Sequence, residues 1–235
     1  KSSVFNNLTG LKQHVGNWPG KTVEQKSGTF ELDNYEIEVI DLPGNYSLTP
    51  YSVEEKVSRD AIIHEENDAV INIIDAENIQ RNLYLTLQIM ETGANTVIGL
   101  NMLNYAEDAG LKINIKKLEK TLGVPIVVID AREGKGLNEL IRTAIKAARK
   151  PSDQAASLTY GFELDDHINE VKSLFPHLKV GSAPDSWTAV KLLEDDEEVI
   201  ALAEKSADKD NLPKLRKIQE HVGEIVHQKL DEAFI

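Results

Sequence analysis

The stretch DAVINIIDAENIQRNLYLTLQIMETGANTVIGLNML, residues 68–103, decides the fold of this chain. Its two ends, 68–76 and 95–103, are short, apolar and rich in β-branched residues, and VPIVVIDA (124–131) is similar. Such runs are typical of strands that are buried on both faces of a parallel sheet. Helical periodicity predicts helices over 79–92, 115–122 and 137–150. Alternating strands and helices predict an open α/β sheet that binds its ligand at the carboxyl ends of the strands.

The sequence on either side of this stretch divides the chain into two domains. Two extended runs, 29–34 and 35–42, meet at Asp33-Asn34 and predict a hairpin, so residues 1–150 form one α/β domain. The polar segment PSDQAAS (151–157) is a predicted linker. Residues 158–235 have apolar positions at helical spacing and predict a small all-α domain. Within it, residues 188–205 form either two middle helices or one broken helix.

Composition and charge exclude several classes of function. No apolar run reaches the roughly 18 residues of a membrane span, and the N-terminus lacks the pattern of a signal peptide. The chain has 0 cysteines, which excludes disulfides, thiolate metal sites and cysteine nucleophiles. The net charge of −13 divides into −4 for residues 1–150 and −9 for 151–235. This balance argues against a nucleic-acid surface and against charge-driven binding of the second domain to an anionic membrane.

Four short polar segments stand where strands of such a sheet end or helices begin: KSS (1–3), DLPG (41–44), NMLN (101–104) and DAR (130–132). A Lys-Ser pair is typical of a phosphate-binding loop, and an Asp-x-x-Gly turn brings a metal-holding carboxylate and a glycine N–H to a γ-phosphate. An Asn-x-x-Asp turn reads guanine. Each segment is common alone, but their order and their intervals of 40, 60 and 30 residues predict a small GTP-binding domain.

Two further segments carry a family resemblance. HVGNWPGKTVEQKSG (14–28) and DLPGNYSLTPYSVEEKVSRD (41–60) closely resemble the cytosolic N-terminal region of the prokaryotic ferrous iron transport protein B. The resemblance covers nearly the whole chain. It implies a Ras-like P-loop GTPase sheet with helices on both faces, followed by a small all-α helical spacer domain. In that family the spacer favours bound GDP and links the GTPase to a membrane permease.

The resemblance also implies a role for each matching residue. The implied Mg²⁺ ligands are Ser2, Thr22 and Asp41. The implied catalytic candidates are Thr22 and Gly44, and Glu54 and Glu55 are further candidates from their position in the helical stretch after DLPG. The implied contacts to GTP or GDP are Lys1, Ser2, Ser3, Gly20, Lys21, Thr22, Asp41, Leu42, Pro43, Gly44, Asn101, Met102, Leu103, Asn104, Asp130, Ala131 and Arg132. K⁺ is a further cofactor that some relatives use, through a residue of a loop that would precede Lys1.

Two departures from the family pattern affect these expectations. The glycine-rich half of the phosphate loop and the strand before it are not in the sequence, so we expect the natural protein to begin upstream of Lys1. Asn104 stands where the family has an Asp. An amide accepts only one of the two guanine N–H groups, which weakens GTP binding by about 2–4 kcal/mol. Xanthine matches Asn104 better. The sequence favours weak GTP binding over xanthine specificity, and it leaves natural drift and an engineered change both open.

Slow intrinsic hydrolysis is expected, because Asn45 stands where Ras-like enzymes place a longer, water-orienting Gln. Glu54 or Glu55 would orient water if their helix folds over the site; the alternative is a solvated helix face. Trp18 is expected to be exposed in its GNWPG context. The acidic run EDDEEV (194–199) is expected to form a solvated helix face, and attraction of a cation is the alternative.

The leading hypothesis is a GTP-binding, slowly hydrolysing regulatory domain of a membrane ferrous iron transporter, at the cytoplasmic face of the cell membrane. Its expected partners are guanine nucleotide and the transporter's own membrane domain; a homo-oligomer is left open, and no nucleic acid is expected. One alternative is a nucleotide-impaired interaction module of the same transporter, which Asn104 and the missing glycines favour. The others are a ribosome- or RNA-associated GTPase, which the acidic second domain disfavours, and an acidic iron-delivery domain.

Overall fold

The first domain contains a parallel sheet flanked by helices. The structure, a computed structural model, describes residues 1–10, 12–149 and 158–233. The strands, in spatial order, are β4 (Val70–Asp75), β5 (Thr96–Asn101) and β6 (Ile126–Ile129). The helices between and after them are α3 (Ile79–Glu91), α4 (Leu103–Asp108), α5 (Ile115–Leu122) and α6 (Leu137–Ala148). The predicted strands and the predicted helices α3, α5 and α6 are confirmed. Parallel pairing sets Asp75 opposite Asn101 and Asn101 opposite Ile129, so the strands end at one edge.

An antiparallel sheet precedes the parallel one in the chain. Its strands are β1 (Gln13–Asn17), β2 (Glu24–Leu32) and β3 (Tyr35–Asp41). Asp33 and Asn34 both have positive φ, at 49° and 64°, which gives the mirror-image turn that matches the twist of a two-residue hairpin. The β2–β3 hairpin prediction is confirmed. Strand β1 was not predicted, because its mostly exposed sequence QHVGN lacks apolar alternation.

Two helices pack beside these strands, α1 (Ser2–Thr9) and α2 (Val53–His64). Helix α1 buries Val4 and Phe5, and Val4 joins the apolar cluster around β6 and α6. Gly28 of β2 permits this approach, because a Cβ there would lie 2.5 Å from Thr9 Cγ2 at the end of α1. Helix α1 is therefore fixed against both the antiparallel sheet and the core of the parallel one.

The predicted Ras-like sheet is divided into two hydrogen-bonded parts. Among the described residues, β1-β2-β3 and β4-β5-β6 are separate sheets, so β3 and β4 do not pair with each other. Side-chain packing joins the two parts, because Leu42 after β3 and Val70 of β4 pack against one cluster built on Leu48, Ile62 and Ile89. The α/β class is confirmed. The structure differs from the prediction in that the strands form two separate sheets instead of one continuous sheet.

The second domain is all-helical, as predicted. The chain divides into two compact units, Lys1–Gln154 and Ala155–Ile235, and the predicted linker 151–157 lies outside the described residues. The helices of the second unit are α7 (Phe162–Leu174), α8 (Asp185–Leu193), α9 (Glu197–Ala203) and α10 (Leu212–Ala233). No helix in the described ranges is long and apolar enough to cross a membrane.

The acidic run 194–199 has a structural role that the sequence analysis did not assign. Asp195 has a left-handed backbone and bonds Arg216, and the side chain of Asp196 accepts from Glu198 N and Val199 N at the start of α9. These two residues end α8 and begin α9, so residues 188–205 form two helices. The expectation of a solvated helix face holds only in part: most of the run is accessible to solvent, but its first three residues precede α9.

Candidate functional site

Two predicted site residues from distant parts of the chain meet at the edge of the antiparallel sheet. Lys1 Nζ lies 3.3 Å from Asp41 Oδ1, and the Asp41 side chain is only 12% exposed. Lys1 precedes α1, and Asp41 ends β3. Ser2 and Ser3 are exposed in the first turn of α1, where backbone N–H groups have no partner within the helix and favour an anion. A cation, a carboxylate and two hydroxyls therefore share one end of α1.

The end of β5 and the loop after β6 are joined by a side-chain bond. Asn101 Oδ1 accepts a hydrogen bond from Ala131 N at 2.9 Å. Met102 follows with a left-handed backbone (φ 63°), which turns the chain from β5 into α4. Asn104 lies in the first turn of α4, is exposed and makes no side-chain hydrogen bond to the described residues. The Asn101–Ala131 contact brings the two predicted base-side segments together.

The loop that contains Asp130 is built by its own carboxylate. Asp130 Oδ1 accepts from Glu133 N and Arg132 N, both at 2.9 Å, and these bonds hold the pKa of the Asp130 carboxyl below its ordinary value. Asn7 of α1 donates to Ala131 O at 2.9 Å and to Ser3 O at 3.0 Å. Asp130 thus shapes the loop, and Asn7 connects that loop to the helix that begins at the phosphate-side residues.

The loop after β3 is held by α2 and α3. Gly44 is exposed, and a Cβ there would meet no atom within 4 Å, so the backbone is open to a ligand. Asn45 Nδ2 donates to Ser58 Oγ at 2.8 Å and to Glu54 O at 3.1 Å, both on α2. These bonds direct the Asn45 amide to α2, so in this conformation it does not stand free to orient water.

Helix α3 holds the same loop from its other side. Gln88 Oε1 accepts from Leu48 N at 2.8 Å, and the Arg81 guanidinium lies 3.7 Å from the centre of the Tyr46 ring. Sequence analysis missed Gln88, because a single buried polar residue in an apolar helix carries no signal of its partner. The contacts fix the backbone that follows Gly44.

Glu54 and Glu55 occupy the first turn of α2. Glu55 Oε2 accepts from Ser52 N at 3.0 Å, and Ser52 Oγ accepts from Glu55 N at 3.2 Å. This reciprocal pair is a capping box, which satisfies two backbone donors at a helix start. Glu55 therefore caps α2 in the structure, while Glu54 is exposed on its first turn.

The loop between β1 and β2, residues 18–23, contains Gly20, Lys21 and Thr22 and lies against α2. Trp18 is 5% exposed and packs on Val57 and Ala61. The expectation that Trp18 is exposed was wrong, because the apolar face of α2 covers the ring. Lys21 Nζ lies 2.9 Å from Asp60 Oδ2 of α2, and Thr22 is exposed. This loop is not joined to the Lys1–Asp41 contact by any described hydrogen bond or ion pair.

The oxygen groups at the Lys1 end suit a hard divalent cation. Mg²⁺ prefers carboxylate and hydroxyl oxygens, which Asp41 and Ser2 supply. Across the described ranges, no group of three or more His, Asp and Glu side chains is arranged to hold a metal ion. The residues fit Mg²⁺ in part: Asp41 and Ser2 stand at one end of α1, and Thr22 is carried by a separate loop.

Sequence profiles match both domains of the chain. The profile of the ferrous iron transport protein B family matches residues 1–144, and the profile described as the FeoB cytosolic helical domain matches residues 160–235. Together these matches cover most of the chain, in the order in which the two domains occur.

Individual relatives and solved structures agree with the profiles. The chain is 42% identical over 209 residues to the Fe(2+) transport protein A/Fe(2+) transporter FeoB fusion protein of Porphyromonas gingivalis, covering 85% of this chain and 24% of that protein. It is 35% identical over 200 residues to the Fe(2+) transporter FeoB of Escherichia coli K12, covering 83% and 26%. The chain thus spans about a quarter of these relatives. The crystal structure of the cytosolic domain of the T. maritima FeoB iron transporter in a GDP form superimposes with a TM-score of 0.80 at 34% identity, covering 97% of this chain and 92% of that one.

Proposed function

Because this chain belongs to the ferrous iron transport protein B family, we propose that it binds guanine nucleotide and hydrolyses GTP slowly, as the regulatory part of a ferrous iron transporter. We take residues 1–150 as the nucleotide-binding domain, 151–157 as the linker and 158–235 as the helical spacer. The solved relative in a GDP form supports guanine nucleotide as the ligand.

The Lys1–Asp41 contact of 3.3 Å is the observation that carries this proposal. The Lys1 ammonium would meet the β- and γ-phosphates, and the N–H groups that open α1, at Ser2 and Ser3, would bind phosphate oxygens. A bound Mg²⁺ would neutralise phosphate charge that develops during transfer. Asp41 and Ser2 would hold that ion, with Thr22 joining them when GTP is bound.

The contact between Asn101 and Ala131 would form the base side of the same site. Its hydrogen bond holds the chain after β5 against the loop after β6, so Asn104 and Ala131 lie on neighbouring segments. The amide of Asn104 would accept one guanine N–H and oppose the other. We therefore propose that GDP and GTP bind, with a weaker affinity than an Asp at this position would give.

Slow turnover is proposed because two of the three side chains considered for orienting water are held in other contacts. Asn45 is bonded to α2, and Glu55 caps that helix. Gly44 is exposed, and its N–H would bind a γ-phosphate. Hydrolysis would therefore require the loop after Gly44 to leave α2, which makes a conformational step part of each turnover.

The remaining proposals concern the whole transporter. We place the chain at the cytoplasmic face of the membrane, where the state of the nucleotide would control Fe²⁺ uptake by the membrane part of the same protein. The matched region makes up about a quarter of the relatives' length, so the rest of such a protein would be about three-quarters of it. We also propose that K⁺ stimulates GTP hydrolysis and that the protein forms a homo-oligomer.

Calorimetric titration of GDP, and then XDP, with Mg²⁺ into the full-length natural protein tests the proposal. Tighter binding of GDP is the expected result and would make the domain a guanine switch that tolerates Asn104. Tighter binding of XDP would mean that the amide has redirected base recognition. If neither nucleotide bound, the nucleotide-binding proposal would be wrong.

A second candidate function is an interaction module in which nucleotide binding is impaired. The exposed Asn104 amide in place of a carboxylate is the observation that favours it. Loss of GDP binding with unchanged folding would support this candidate, so the same titration, run beside circular dichroism of the protein, separates the two.

A further inference from the structure

Helix α5 carries lysines on one side and apolar residues on the other. Three apolar side chains are half-buried and share one side of the helix: Ile115, Leu118 and Leu122. Three lysines are exposed: Lys116, Lys117 and Lys120. At about 100° per residue, the mean directions of these two sets differ by roughly 180°. The lysines of α5 therefore stand on the solvent side of the helix.

The lysines of α5 and the lysine that precedes the helix form one surface, the lysine face: Lys112, Lys116, Lys117 and Lys120. Within the described ranges, none of their ammonium groups has a hydrogen-bond or ion-pair partner. Glu119, the acidic residue of α5, accepts from Ile126 N at 3.1 Å, which holds its carboxylate toward β6. Lys116 and Lys120 stand four residues apart, and like charges at this spacing destabilise a helix. The lysine face thus carries positive charge that an anionic partner would compensate.

An open groove of about 640 Å³ lies beside the lysine face, between the end of α4 and the start of α5. Leu111 and Ile113 line it with apolar atoms, and Lys112 and Lys116 belong both to the groove and to the lysine face. Glu107 of α4 is the acidic residue of the lining. Leu111 is 42% exposed. An apolar groove with ammonium groups at its side suits a molecule that joins an anionic headgroup to an apolar part.

The charge of the lysine face contrasts with that of the rest of the chain. Residues 110–123 contain four lysines and one glutamate, a balance of +3, whereas the whole chain has a net charge of −13. The arginines of the α6 region differ from these lysines, because Arg142 pairs with Asp33 and Arg149 lies 5.2 Å from the centre of the Tyr35 ring. An anionic bilayer would repel the acidic remainder of the chain and attract the lysine face, so it would select one orientation of the domain.

We propose that the lysine face of α5 docks on the anionic phospholipid headgroups of the membrane, with Leu111 and the groove beside it at the lipid interface. The inference rests on the proposed function, since it requires the location at the membrane. A domain tethered to the bilayer by the membrane part meets the headgroups at a high effective concentration. Each lysine near an anionic surface adds about 5-fold to the association, so four lysines are enough to orient a tethered domain.

Acetylation of lysines, followed residue by residue with mass spectrometry, tests this docking in the full-length natural protein in nanodiscs. One set of nanodiscs contains phosphatidylcholine alone, and the other contains phosphatidylcholine mixed with phosphatidylglycerol. We expect the lysine face to react about 3- to 10-fold more slowly in the anionic nanodiscs, and this difference to disappear at about 1 M salt. Lys12, an exposed lysine of the same domain, should react at the same rate in both.

Two results of this experiment would overturn the inference. The first is an equal rate of acetylation of the lysine face in the two lipid compositions. The second is protection that rises with protein concentration in both compositions, because this would identify a second copy of the chain as the occupant of the surface.

A triple variant identifies the groups responsible: Lys116→Gln, Lys117→Gln and Lys120→Gln. Glutamine keeps a long side chain and a similar helix propensity and removes the charge. Lys112, which remains, should then lose its protection in the anionic nanodiscs. The matched control removes the same charge from exposed lysines of the second domain: Lys209→Gln, Lys214→Gln and Lys217→Gln. Lys112 should stay protected in the control, and loss of its protection in both variants, or in neither, would contradict the inference.

Titration of GDP into the same nanodisc samples separates this inference from the proposed function. Binding of GDP without lipid-dependent protection of the lysine face would overturn the inference alone. Protection of the lysine face without binding of GDP would support the inference and contradict the proposed nucleotide binding. The two failures are therefore distinguishable.

Discussion

Gln88 Oε1 accepts a hydrogen bond from the backbone N–H of Leu48 at 2.8 Å, and both residues are buried. The Gln88 side chain also reaches Thr49 Oγ1 and Tyr84 OH, at 3.4 and 3.3 Å. The side-chain amide of Gln88 on α3 therefore provides the hydrogen-bond acceptor for the Leu48 N–H, in the loop that follows Gly44. The position of this loop depends on α3 as much as on the strand that precedes it.

Gln88→Leu should destabilise the protein by about 1–3 kcal/mol, because it leaves the Leu48 N–H buried without an acceptor. Urea unfolding measures this loss of free energy. Gln80→Leu is the control, since Gln80 is exposed on the same helix and its replacement should change stability by less than about 0.5 kcal/mol. Similar costs for both variants would contradict the assigned role of Gln88.

Asn101→Ala should weaken GDP binding by about 10-fold or more and destabilise the domain by about 1 kcal/mol, since the Ala131 N–H loses its acceptor. Calorimetry and urea unfolding measure the two effects. The control is Asn95→Ala, which removes a 2.9 Å bond to Asp68 O before the start of β5. That variant should lose stability to a similar extent while its GDP affinity stays the same.

Asn104→Asp should strengthen GDP binding by about 2–4 kcal/mol, because a carboxylate accepts both N–H groups of guanine. The same variant should bind XDP more weakly than the natural chain does. Paired titrations with the two nucleotides measure the change, and the nucleotides control for each other. Higher affinity for both GDP and XDP would mean that the added charge strengthens nucleotide binding without discriminating between the bases.

The pair of Asp208 and His177 predicts a dependence of stability on pH in the second domain. The His177 ring bonds Asp208 Oδ1 at 2.9 Å, and with the His177 backbone N–H it lowers the pKa of the Asp208 carboxyl below its ordinary 3.8. A lowered pKa in the folded state adds stability above about pH 4, which is lost as the pH falls through the folded-state pKa. Urea unfolding from pH 6 to pH 2.5 should show this loss in the natural chain.

Asp208→Asn should remove that component of the acid dependence. Asp210→Asn changes a nearby exposed carboxylate and should keep it. If the two variants lose stability in parallel as the pH falls, the Asp208–His177 bond is not its source.

Strand and helix predictions succeeded where periodicity was long and apolar. Residues 70–75, 96–101 and 126–129 are strands within the predicted segments, and α5 has its predicted bounds. Strand β1 was missed because hydrogen bonding to β2, not burial, makes it a strand. The division of the sheet was not predicted either, since periodicity reports on single elements and not on which strands pair.

The site was predictable as a set of segments and less so as a set of contacts. The order and spacing of the motifs placed Lys1 and Asp41, and Asn101 and Ala131, at one edge of the sheet, and the structure brings each pair into contact. The spacing gives no information on Asn45, whose amide donates a hydrogen bond to Ser58, or on Trp18, whose ring α2 covers. Both outcomes depend on how α2 packs. No local sequence pattern around Trp18 or Asn45 specifies that α2 is the element each residue contacts.

Both backbone polar groups of Ala131 are hydrogen-bonded to side chains, its N–H to Asn101 and its C=O to Asn7. A single residue thereby links the end of β5 to the helix that starts beside Lys1. Substitutions at Asn7 and Asn101 should then be thermodynamically coupled: the free-energy cost of the double variant will differ from the sum of the single costs. In the proposed nucleotide site, recognition of the base and recognition of the phosphates would for this reason be a single cooperative property of the domain.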